Sequence, residues 1–431
     1  MNIMKFLKTK WTRNSNPFLI HPEGSLYFND ILDQKIETLP PIKSGTVVAL
    51  IGDYDPFTIS VFFHLIQKNA IIMPLTKVTE PEHNYFFETA GVELIIKERK
   101  FIFRESLTKV SLIENFKRKR RPGLIAFSSG TTGRPKAILH DLSLFLKRFK
   151  TPRPALRTIN FLMFDHVGGL NTLFHTLFNN GVIIVPKDRS VESILHSCNK
   201  YRAEVLPTTP SFLRMMLISG LIPDELAKSV KIISYGSERM DQYTLDELCK
   251  LLPDVDFRQT FGTSELGVVR VKSEARNSLF MKIGDVGVET KVVSNILYLR
   301  SQNRMIGYLN AESPFDQEGW YKTNDVVEVK NGFYKVLGRI GDVINVGGLK
   351  FMGSEVERVA LEYGNISFLK VFPKTNPITG QHVEIQVEPK DLQKFDSANF
   401  SNYLKTNLPS HMMPRKIILS DIKIGNRYKK L

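Results

Sequence analysis

The stretch FSSGTTGRPKAILHD, residues 127–141, begins at the end of the short apolar run LIAF. Its glycines let the backbone turn tightly and point N–H groups inward, and its hydroxyl side chains supply further donors. Lys136 adds a positive charge near the end of the stretch. A strand that leads into such a sequence predicts a loop that binds phosphate groups, although the same residues can also form a simple turn.

The spacing in this stretch differs from that of the common phosphate-binding loop, G-x-x-x-x-G-K-[ST]. Gly130 and Gly133 are three residues apart, and a proline lies between Gly133 and Lys136. This spacing argues against an ordinary P-loop nucleotide hydrolase. The lysine motif K-x-D-G of nucleic-acid ligases is absent from the sequence.

Short runs rich in Val, Ile and Leu recur on both sides of this stretch. They are continuously apolar, which is typical of strands buried on both faces of a mostly parallel sheet. Helical patterns separate several of them, and in residues 241–252 three leucines and a cysteine share one face. This alternation predicts an α/β fold. The predicted strands are residues 46–53, 70–75, 92–97, 123–130, 159–165, 181–186 and 230–236.

The pattern changes near residue 320, where alternating runs flank the hairpin signal Asn331-Gly332. A helix at 354–364 and a strand at 382–389 are predicted further along the chain. The predicted units are a large N-terminal α/β domain with mostly parallel sheets, residues 1–337, and a small mobile α+β domain, residues 338–431, which opens with a hinge at 338–342.

The composition is typical of a soluble globular protein, because 42% of the 431 residues are hydrophobic and 24% are charged. Two cysteines, Cys198 and Cys249, form no disulfide framework and favour a reducing compartment. The basic start MNIMKFLKTKWTRN lacks the apolar core of a secretory signal. Polar residues interrupt the most apolar segment, 57–75, which predicts a buried helix and a strand rather than a membrane span. We therefore expect a cytoplasmic protein.

The formal net charge is +15, and five positive charges form the run KRKRR at residues 117–121. Such a run can bind nucleic acid, an anionic membrane or an acidic protein, or it can be a solvated loop. No helix-turn-helix, zinc-ligand or aromatic RNA-binding pattern accompanies it, so nucleic acid is not an expected partner.

Five blocks in a fixed order resemble the signatures of the adenylate-forming enzymes. This family includes acyl- and aryl-CoA synthetases, luciferases and the adenylation domains of peptide synthetases. The resemblance spans roughly residues 45–431 and implies an N-terminal region that is abbreviated before Phe127. The blocks are SSGTTGRPK (128–136), FGTSE (261–265), MIGYLN (305–310), GWYKTNDV (319–326) and GRIGDVINVGGLKFMGSEVE (338–357).

The resemblance implies a two-step reaction. A carboxylate attacks the α-phosphate of ATP, which gives an acyl-adenylate and pyrophosphate, and a thiol then takes the acyl group. Donors, a lysine and Mg²⁺ would stabilise the charge on the phosphates. The implied nucleotide ligands are Ser128, Ser129, Gly130, Thr131, Thr132, Gly133 and Lys136 at the phosphates, Phe261 at the adenine, Asp325 and Arg339 at the ribose, and Gly236, Ser237, Gly262 and Thr263 elsewhere in the site. The implied Mg²⁺ ligands are Glu265 and Thr132, and the implied catalytic residues are Lys136, His166 and Lys429.

The sequence departs from the family pattern at its C-terminus, where P-x-T-x-x-G-K-x-x-R is replaced by IKIGNRYKKL, residues 422–431. Alignment from Pro414 puts Lys429 at the lysine position, whereas alignment on Gly425 puts Asn426 there. A Lys-Lys end can also be a frayed, solvated terminus. The further departures are Asn324 and Tyr428 in place of glycines, Gly341 at the hinge and Gly353 in place of a proline. They leave a non-catalytic nucleotide-binding relative as the alternative function.

The segment FDHVGG, residues 164–169, resembles the aromatic-His-x-x-Gly segment beside the acyl pocket of the family. His166 matches the histidine of that segment, and core packing is the alternative for it. Asp165 offers a carboxylate like the one that binds the α-ammonium group in amino-acid-activating relatives. We favour a small non-amino carboxylic acid as the substrate.

The acceptor thiol implied by the resemblance is CoA or the phosphopantetheine of a carrier protein. Carrier proteins are generally acidic, so the net charge of +15 slightly favours a carrier, which would be a separate chain. CoA is also anionic, and charge alone leaves both acceptors open.

Overall fold

The computed structural model describes residues 3–33, 39–105, 110–128, 133–284, 287–425 and 429. The helices in these ranges are α1 Ile3–Trp11, α2 Phe28–Asp33, α3 Pro56–Gln67, α4 His83–Ala90, α5 Ser111–Lys117, α6 Leu142–Phe145, α7 Val167–Phe178, α8 Val191–Lys200, α9 Pro210–Ser219, α10 Ile222–Glu225, α11 Gln242–Leu251, α12 Gly353–Glu362 and α13 Ser397–Asn407.

The strands are β1 Leu19–His21, β2 Gly24–Leu26, β3 Val47–Ile51, β4 Ile71–Leu75, β5 Leu94–Lys97, β6 Lys100–Phe103, β7 Gly123–Phe127, β8 Ala137–Asp141, β9 Arg157–Ile159, β10 Val182–Ile184, β11 Val205–Thr208, β12 Ile232–Tyr235, β13 Asp256–Gln259, β14 Phe261–Thr263, β15 Gly267–Val269, β16 Val271–Ser273, β17 Met281–Ile283, β18 Val288–Val293, β19 Ile296–Ser301, β20 Gly307–Tyr308, β21 Tyr321–Lys330, β22 Phe333–Arg339, β23 Val343–Val346, β24 Leu349–Met352, β25 Ile366–Asn376, β26 Gly380–Pro389 and β27 Lys416–Leu419.

Two mostly parallel sheets form the large part of the molecule, as predicted. The first sheet has the order β20-β8-β7-β4-β3-β5-β6, and its four central strands are parallel. The second sheet has the order β13-β12-β11-β9-β10-β1-β2 and is parallel except for β2 at its edge. Because both faces of these strands are covered, their sequences read as continuous apolar runs.

Helices α3 and α7 lie between these two sheets. α3 contacts β3 and β4 of the first sheet and β2 of the second, while α7 contacts β9 and β10. Phe62, Phe63 and Phe174 from these helices belong to one buried cluster. α3 begins at Asp55, whose side chain accepts a hydrogen bond from the N–H of Thr58, so the apolar segment 57–75 forms a capped helix and then β4, as predicted.

Two details of the predicted strand pattern are wrong. Residues 160–165 are not a strand, because β9 ends at Ile159 and the N–H of His166 bonds to the carbonyl of Met163 as the chain turns into α7. The antiparallel strands also begin earlier than residue 320. A third, fully antiparallel sheet, β16-β17-β22-β21-β19-β18, starts at Val271 with three-residue strands that are too short to show an alternating pattern.

The predicted hairpin connects β21 to β22. Its turn residues Asn331 and Gly332 have φ of 50° and 76°, as the tight turns that suit a hairpin require. Beyond it, β24, β23, β26 and β25 form a separate sheet with β27 beside β26, and α12 and α13 cover it. Ile344, Val356 and Ile385 lie in the core of this unit. The small α+β domain is therefore present, and its exact boundary at residue 338 stays a prediction.

The basic run at 117–121 connects α5 to β7. Its ends form ion pairs, Lys117 with Glu114 at 3.0 Å and Arg121 with Asp141 at 3.2 Å, and the three cations between them are exposed. None of the helices in the described ranges is both long enough and apolar enough to cross a membrane.

Arg214 on α9 connects the large domain to the small one. Only 4% of this residue is exposed. Its Nε donates to the carbonyl of Ser367 at 2.7 Å, its Nη2 to the carbonyl of Ile366 at 2.8 Å and its Nη1 to Thr244 Oγ1 at 2.7 Å. Because hydrogen bonds from a charged donor are stronger than neutral ones, these contacts hold the start of β25 against α9.

We expect Arg214→Met to lower the free energy of unfolding by about 2–4 kcal/mol, since two buried carbonyls lose a charged donor. Urea denaturation followed by tryptophan fluorescence measures the change. Arg118→Met, at an exposed position of the basic run, is the matched control and should stay within about 0.5 kcal/mol of the parent. Equal changes in the two variants would contradict the assigned role of Arg214.

Candidate active site

A cavity of about 1520 Å³ lies among the first, second and third sheets. Segments that are far apart in sequence meet there. The predicted site residues that line it are Ser128, Gly133, Lys136, His166, Gly236, Ser237, Phe261, Gly262, Thr263, Glu265, Arg339 and Lys429. Asp325 is not among the lining residues but pairs with Arg339. The predicted ligands Ser129, Gly130, Thr131 and Thr132 lie outside the described residues.

The base of the predicted phosphate loop is closed by two hydrogen bonds. β7 and β8 pair as antiparallel neighbours, so the chain reverses between them. The N–H of Ser128 donates to the carbonyl of Lys136 at 3.0 Å, and the N–H of Lys136 donates to Ser128 Oγ at 3.0 Å. The ammonium of Lys136 lies 5.1 Å from the centre of the Tyr308 ring, which places the positive charge at the cavity wall.

Glu265 lies in the turn between β14 and β15 and is 7% exposed. Its Oε1 accepts a hydrogen bond from the Tyr308 hydroxyl at 2.7 Å, and the Tyr321 hydroxyl also bonds to the carboxylate. Burial and the neighbouring carboxylate raise the pKa of both phenols, so both stay protonated and donate. The carboxylate of Glu265 is thus held in a fixed position at the cavity.

His140 on β8 contacts the backbone of the same turn. Its Nε2 lies 2.8 Å from the carbonyl oxygen of Ser264, and burial lowers the pKa of His140 to about 4. The ring is therefore neutral at pH 7 and donates from Nε2 to this carbonyl.

Sequence reasoning did not identify the tyrosines that hold Glu265. Tyr308 and Tyr321 lie inside the matched blocks MIGYLN and GWYKTNDV. Their place in these blocks was the one sequence feature that could have identified them as site residues.

Arg148, whose Nη1 donates to the carbonyl of Val268 at 2.6 Å and whose Nη2 donates to that of Leu266 at 3.3 Å, supports the strand after the turn that contains Glu265. His140 and Arg148 lie outside those blocks, and no pattern in the sequence points to them. Their roles depend on contacts with residues more than 100 positions away.

Asp325 and Arg339 face each other across β21 and β22. Arg339 Nε lies 3.1 Å from Asp325 Oδ1, and burial raises the pKa of Asp325 although Arg339 opposes this shift. Thr323 Oγ1 accepts from the N–H of Asp325 at 3.0 Å and donates to the carbonyl of Leu297 at 2.9 Å. This arrangement fixes a carboxylate beside the cavity, next to a cation that lines it.

Asn324 preserves the backbone that glycine gives in the family pattern. Its φ is +62°, in the left-handed region that glycine adopts freely and asparagine tolerates better than most residues. The backbone before Asp325 therefore has a conformation that glycine at position 324 would adopt without strain.

Gly236 and Gly262 leave no space for a side chain. A Cβ at Gly236 would lie 2.0 Å from Thr260 Oγ1, and a Cβ at Gly262 would lie 2.6 Å from the carbonyl oxygen of Gly267. Both contacts are far inside normal van der Waals distance. Bare backbone therefore lines the cavity at these two positions.

His166 is both a helix cap and a residue of the cavity wall. Its Nδ1 accepts a hydrogen bond from the N–H of Gly168 at 3.2 Å at the start of α7. The adjacent Asp165 is 5% exposed and is absent from the described cavity lining; its Oδ2 accepts from Thr76 Oγ1 at 2.9 Å. The geometry does not support Asp165 as the residue that binds an α-ammonium group.

Lys429 lines the cavity, and its carbonyl accepts a hydrogen bond from the N–H of Gly425 at 2.8 Å. The competing position Asn426 and the nearby Tyr428 lie outside the described residues. A lysine is therefore present at the cavity where the alignment from Pro414 expects it, and its part in the reaction stays a prediction.

Comparison with known proteins identifies the family of this chain. A family model described as AMP-binding enzyme matches residues 41–308. The chain belongs to the AMP-binding enzymes. A 2-succinylbenzoate–CoA ligase of Listeria innocua is 24% identical over 409 residues, which are 88% of this chain and 85% of the relative. A nicotinic acid–CoA ligase of Aspergillus fumigatus is 24% identical over 259 residues, which are 53% of this chain and only 43% of the relative.

The fold of this AMP-binding enzyme is also found in solved structures. The crystal structure of the anthranilate CoA ligase AuaEII with anthranoyl-AMP aligns with 100% of this chain and 95% of that one, with a TM-score of 0.81 and 16% identity. The family, the two-domain α/β fold and the class of acid–thiol ligases that activate a carboxylic acid with ATP are confirmed at this level.

The left-handed backbone at residue 324 can be tested with a pair of substitutions. Asn324→Gly should retain stability, whereas Asn324→Val should lower the free energy of unfolding by about 1–3 kcal/mol, because a β-branched residue is strained at positive φ. Urea denaturation measures both variants. Asn402→Val, at an exposed position of α13, controls for the change of side chain. An Asn324→Val variant as stable as the control would show that φ at this position is not constrained.

Proposed function

We propose that this AMP-binding enzyme converts a small non-amino carboxylic acid to its acyl-adenylate and passes the acyl group to a thiol. The observation that carries this proposal is the presence in one cavity of Ser128 and Lys136 at the base of the loop, Glu265, Arg339 and Lys429. These residues come from separate parts of the chain and meet in the folded molecule, which supports a shared role at one nucleotide.

The charge of the cavity fits a polyphosphate. Among the described residues that line it, eleven are Arg or Lys and two are Asp or Glu. Since charge builds on the phosphates during adenylation, a fixed cation at the loop stabilises the transition state more than the ground state. We assign this role to Lys136, with Ser128 and the rest of the loop supplying hydrogen-bond donors.

The residues at Glu265 fit a bound Mg²⁺. This ion is commonly held by one or two carboxylates together with substrate phosphates and water, and Glu265 offers one oriented carboxylate at the cavity. When bound there, Mg²⁺ would neutralise charge on the phosphates. Thr132, the second proposed ligand, lies outside the described residues.

The remaining nucleotide contacts are proposed from the residues that lie in or beside the cavity. Asp325 offers a carboxylate that can accept hydrogen bonds from the ribose hydroxyls, and Arg339 keeps it in place from the next strand. Phe261 and the bare backbone of Gly262 line the cavity side by side, and we assign the adenine to them. Gly236, Ser237 and Thr263 complete the proposed set.

The proposed acid and acceptor come from the cavity and the relatives together. His166 lines the proposed acid pocket, and the absence of Asp165 from the described lining supports a non-amino acid. The relatives named above are CoA ligases, which supports CoA as the acceptor. An acidic carrier protein, favoured slightly by the net charge, is the competing acceptor. Cys198 and Cys249 are free thiols, which supports a cytoplasmic location.

The hinge is proposed at residues 338–342. Gly338 has a φ of +155° near the end of β22, and a single helical turn at 340–342 follows it. The N–H of Arg339 donates to Asp342 Oδ2 at 2.7 Å, so the turn is closed by a local bond that a rotation could break without unfolding either domain.

ATP–pyrophosphate exchange with a panel of carboxylic acids tests the proposed function. Exchange that depends on an added acid identifies an enzyme and its acid. ATP binding without exchange for any acid would instead support the non-catalytic relative.

We expect Lys136→Ala and Glu265→Gln each to lower the exchange rate by a factor of about 100–1000, the usual cost of removing one charge stabiliser from an active site. Lys147→Ala, at an exposed lysine outside the described cavity lining, is the control and should exchange normally. Normal exchange in both site variants would remove the assignment of the phosphate loop. Circular dichroism of each variant checks that the loss of exchange is not due to unfolding.

Lys429→Ala separates the two half-reactions. If Lys429 serves adenylation, this variant should lose ATP–pyrophosphate exchange and still form thioester from supplied acyl-adenylate and CoA. Lys423→Ala, at an exposed lysine in the same C-terminal segment, should leave both half-reactions unchanged. Normal exchange in Lys429→Ala would exclude Lys429 and favour the alignment that puts Asn426 at this position.

A further inference from the structure

Arg134 is a cation of the cavity wall at the end of the phosphate loop, between Gly133 and Lys136. The residue is exposed and lines the cavity, so a ligand in the cavity can reach it. Its guanidinium carbon lies 5.4 Å from the centre of the Tyr85 ring. Among the described residues, no carboxylate forms an ion pair with Arg134 and no acceptor is hydrogen-bonded to it. Its N–H donors are therefore available to a ligand.

Tyr85 on α4 is held in place through its hydroxyl. The hydroxyl donates to the carbonyl of Pro135 at 3.1 Å and accepts from Asn310 Nδ2 at 2.9 Å. Asn310 Nδ2 also donates to the carbonyl of Pro135 at 3.1 Å, and its Oδ1 accepts from the N–H of Ala137 at 2.9 Å. Since Pro135 follows Arg134 directly, one set of hydrogen bonds fixes both the ring beside the guanidinium and the backbone next to Arg134.

The neighbouring residue of α4 contacts the other end of the phosphate loop. Phe86 stacks on Phe127, the last residue of β7, with ring centres 3.9 Å apart and an angle of 23° between the rings. Both rings are buried, and a close-packed aromatic pair leaves little room for movement. Two adjacent residues of α4 therefore contact the two ends of the loop, although α4 lies outside the five family blocks.

Arg134 and Lys136 are arranged alike. Each cation lines the cavity and lies near a tyrosine ring, at 5.4 Å from Tyr85 for Arg134 and at 5.1 Å from Tyr308 for Lys136. An aromatic ring attracts a cation through its negative face. A long side chain that is already held in this way loses less conformational entropy when it binds a ligand. The end of the loop therefore presents two oriented cations to the cavity.

We infer that Arg134 binds the β- and γ-phosphates of ATP and the pyrophosphate that they form, with Tyr85 as the residue that positions it. The inference rests on the proposed function. In the family pattern S-G-T-T-G-x-P-K the position of Arg134 is open to any residue, and Tyr85 lies outside all five blocks. The resemblance therefore assigns neither role. A guanidinium offers five N–H donors and can bind two phosphate oxygens at once, which an ammonium cannot do with the same geometry.

The charge of Arg134 counts most when the leaving group departs. In adenylation an oxygen of the carboxylate bonds to the α-phosphorus, and the bond from that phosphorus to the bridging oxygen of the β-phosphate breaks. The electron pair of the broken bond leaves with the pyrophosphate, so negative charge builds on the group that Arg134 contacts. A cation oriented in advance stabilises this charge without reorganisation.

Binding of ATP and of AMP to the full chain in the presence of Mg²⁺, measured by isothermal titration calorimetry, tests the contact. We expect Arg134→Gln to weaken ATP binding by a factor of about 10–100, the usual contribution of a hydrogen bond to a charged group. AMP lacks both phosphates, and its affinity should stay within about twofold of the parent. Arg118→Gln, at an exposed position of the basic run, is the matched control. Equal ATP affinity in Arg134→Gln and the parent overturns the inference.

Variants at position 85 test the positioning role. Tyr85→Phe and Tyr85→Leu both lack the hydroxyl, so the difference between them isolates the ring. Tyr85→Leu should bind ATP more weakly than Tyr85→Phe, and this difference should vanish in the Arg134→Gln background, because the ring acts through the guanidinium. A difference of the same size in both backgrounds overturns the role of Tyr85. Arg134→Lys keeps the charge without the planar donors and should recover part of the ATP affinity.

Exposed Arg134 can be replaced without disturbing the core, so its variants decide the phosphate contact even if Tyr85→Leu does not fold. Circular dichroism checks the fold of each variant. In ATP–pyrophosphate exchange, Arg134→Gln should raise the KM for pyrophosphate and leave the KM for the acid unchanged. Acid-dependent exchange with an unchanged KM for pyrophosphate overturns this inference alone. ATP binding that depends on Arg134, without exchange for any acid, supports the contact and overturns the proposed function.

Discussion

Glu265 joins three parts of the molecule that the chain forms separately. Its carboxylate accepts a hydrogen bond from Tyr308 on β20, at the edge of the first sheet, and another from Tyr321 on β21, in the third sheet. Its carbonyl accepts from the N–H of Met305 at 2.7 Å. Because the pairing of β20 with β8 places Tyr308 beside Lys136 at the base of the phosphate loop, one acidic residue links that base to the third sheet. Glu265 thereby connects three elements that line the cavity.

The sequence was sufficient for the elements whose local pattern and tertiary environment agree. The runs that became β3, β4, β5 and β7 are apolar throughout because the sheet is covered on both faces. For residues 160–165 the same apolar pattern gave a wrong strand prediction. Phe161 and Phe164 are buried, but they lie in an irregular turn rather than in a strand. Apolar content shows that a segment is buried and does not show its backbone conformation.

Residues of the cavity were predictable where a sequence motif contains them. They were not predictable where their contacts are with residues far away in the sequence. Lys136 and Glu265, which their blocks predict as site residues, both line the cavity. Asn324 departs from the family pattern in sequence but has a positive φ that glycine would also adopt. Arg148 could not be found, because a single arginine in a sequence carries no sign that its side chain will lie in a cavity wall. Its position in the wall depends on hydrogen bonds to the carbonyls of Leu266 and Val268, more than 100 residues later. In the described structure no acidic neighbour pairs with it.

The two sides of the contact between the domains differ in how a substitution affects their hydrogen bonds. The acceptors that Arg214 uses in the small domain are the backbone carbonyls of Ile366 and Ser367, which every amino acid possesses. Evolution can therefore exchange the side chains at 366 and 367 without removing these two bonds, provided that the strand keeps its course. A single codon change at 214, in contrast, removes both. At 366 and 367 the sequence is therefore constrained by the packing of two buried side chains, whereas at 214 it is constrained by the hydrogen bonds themselves.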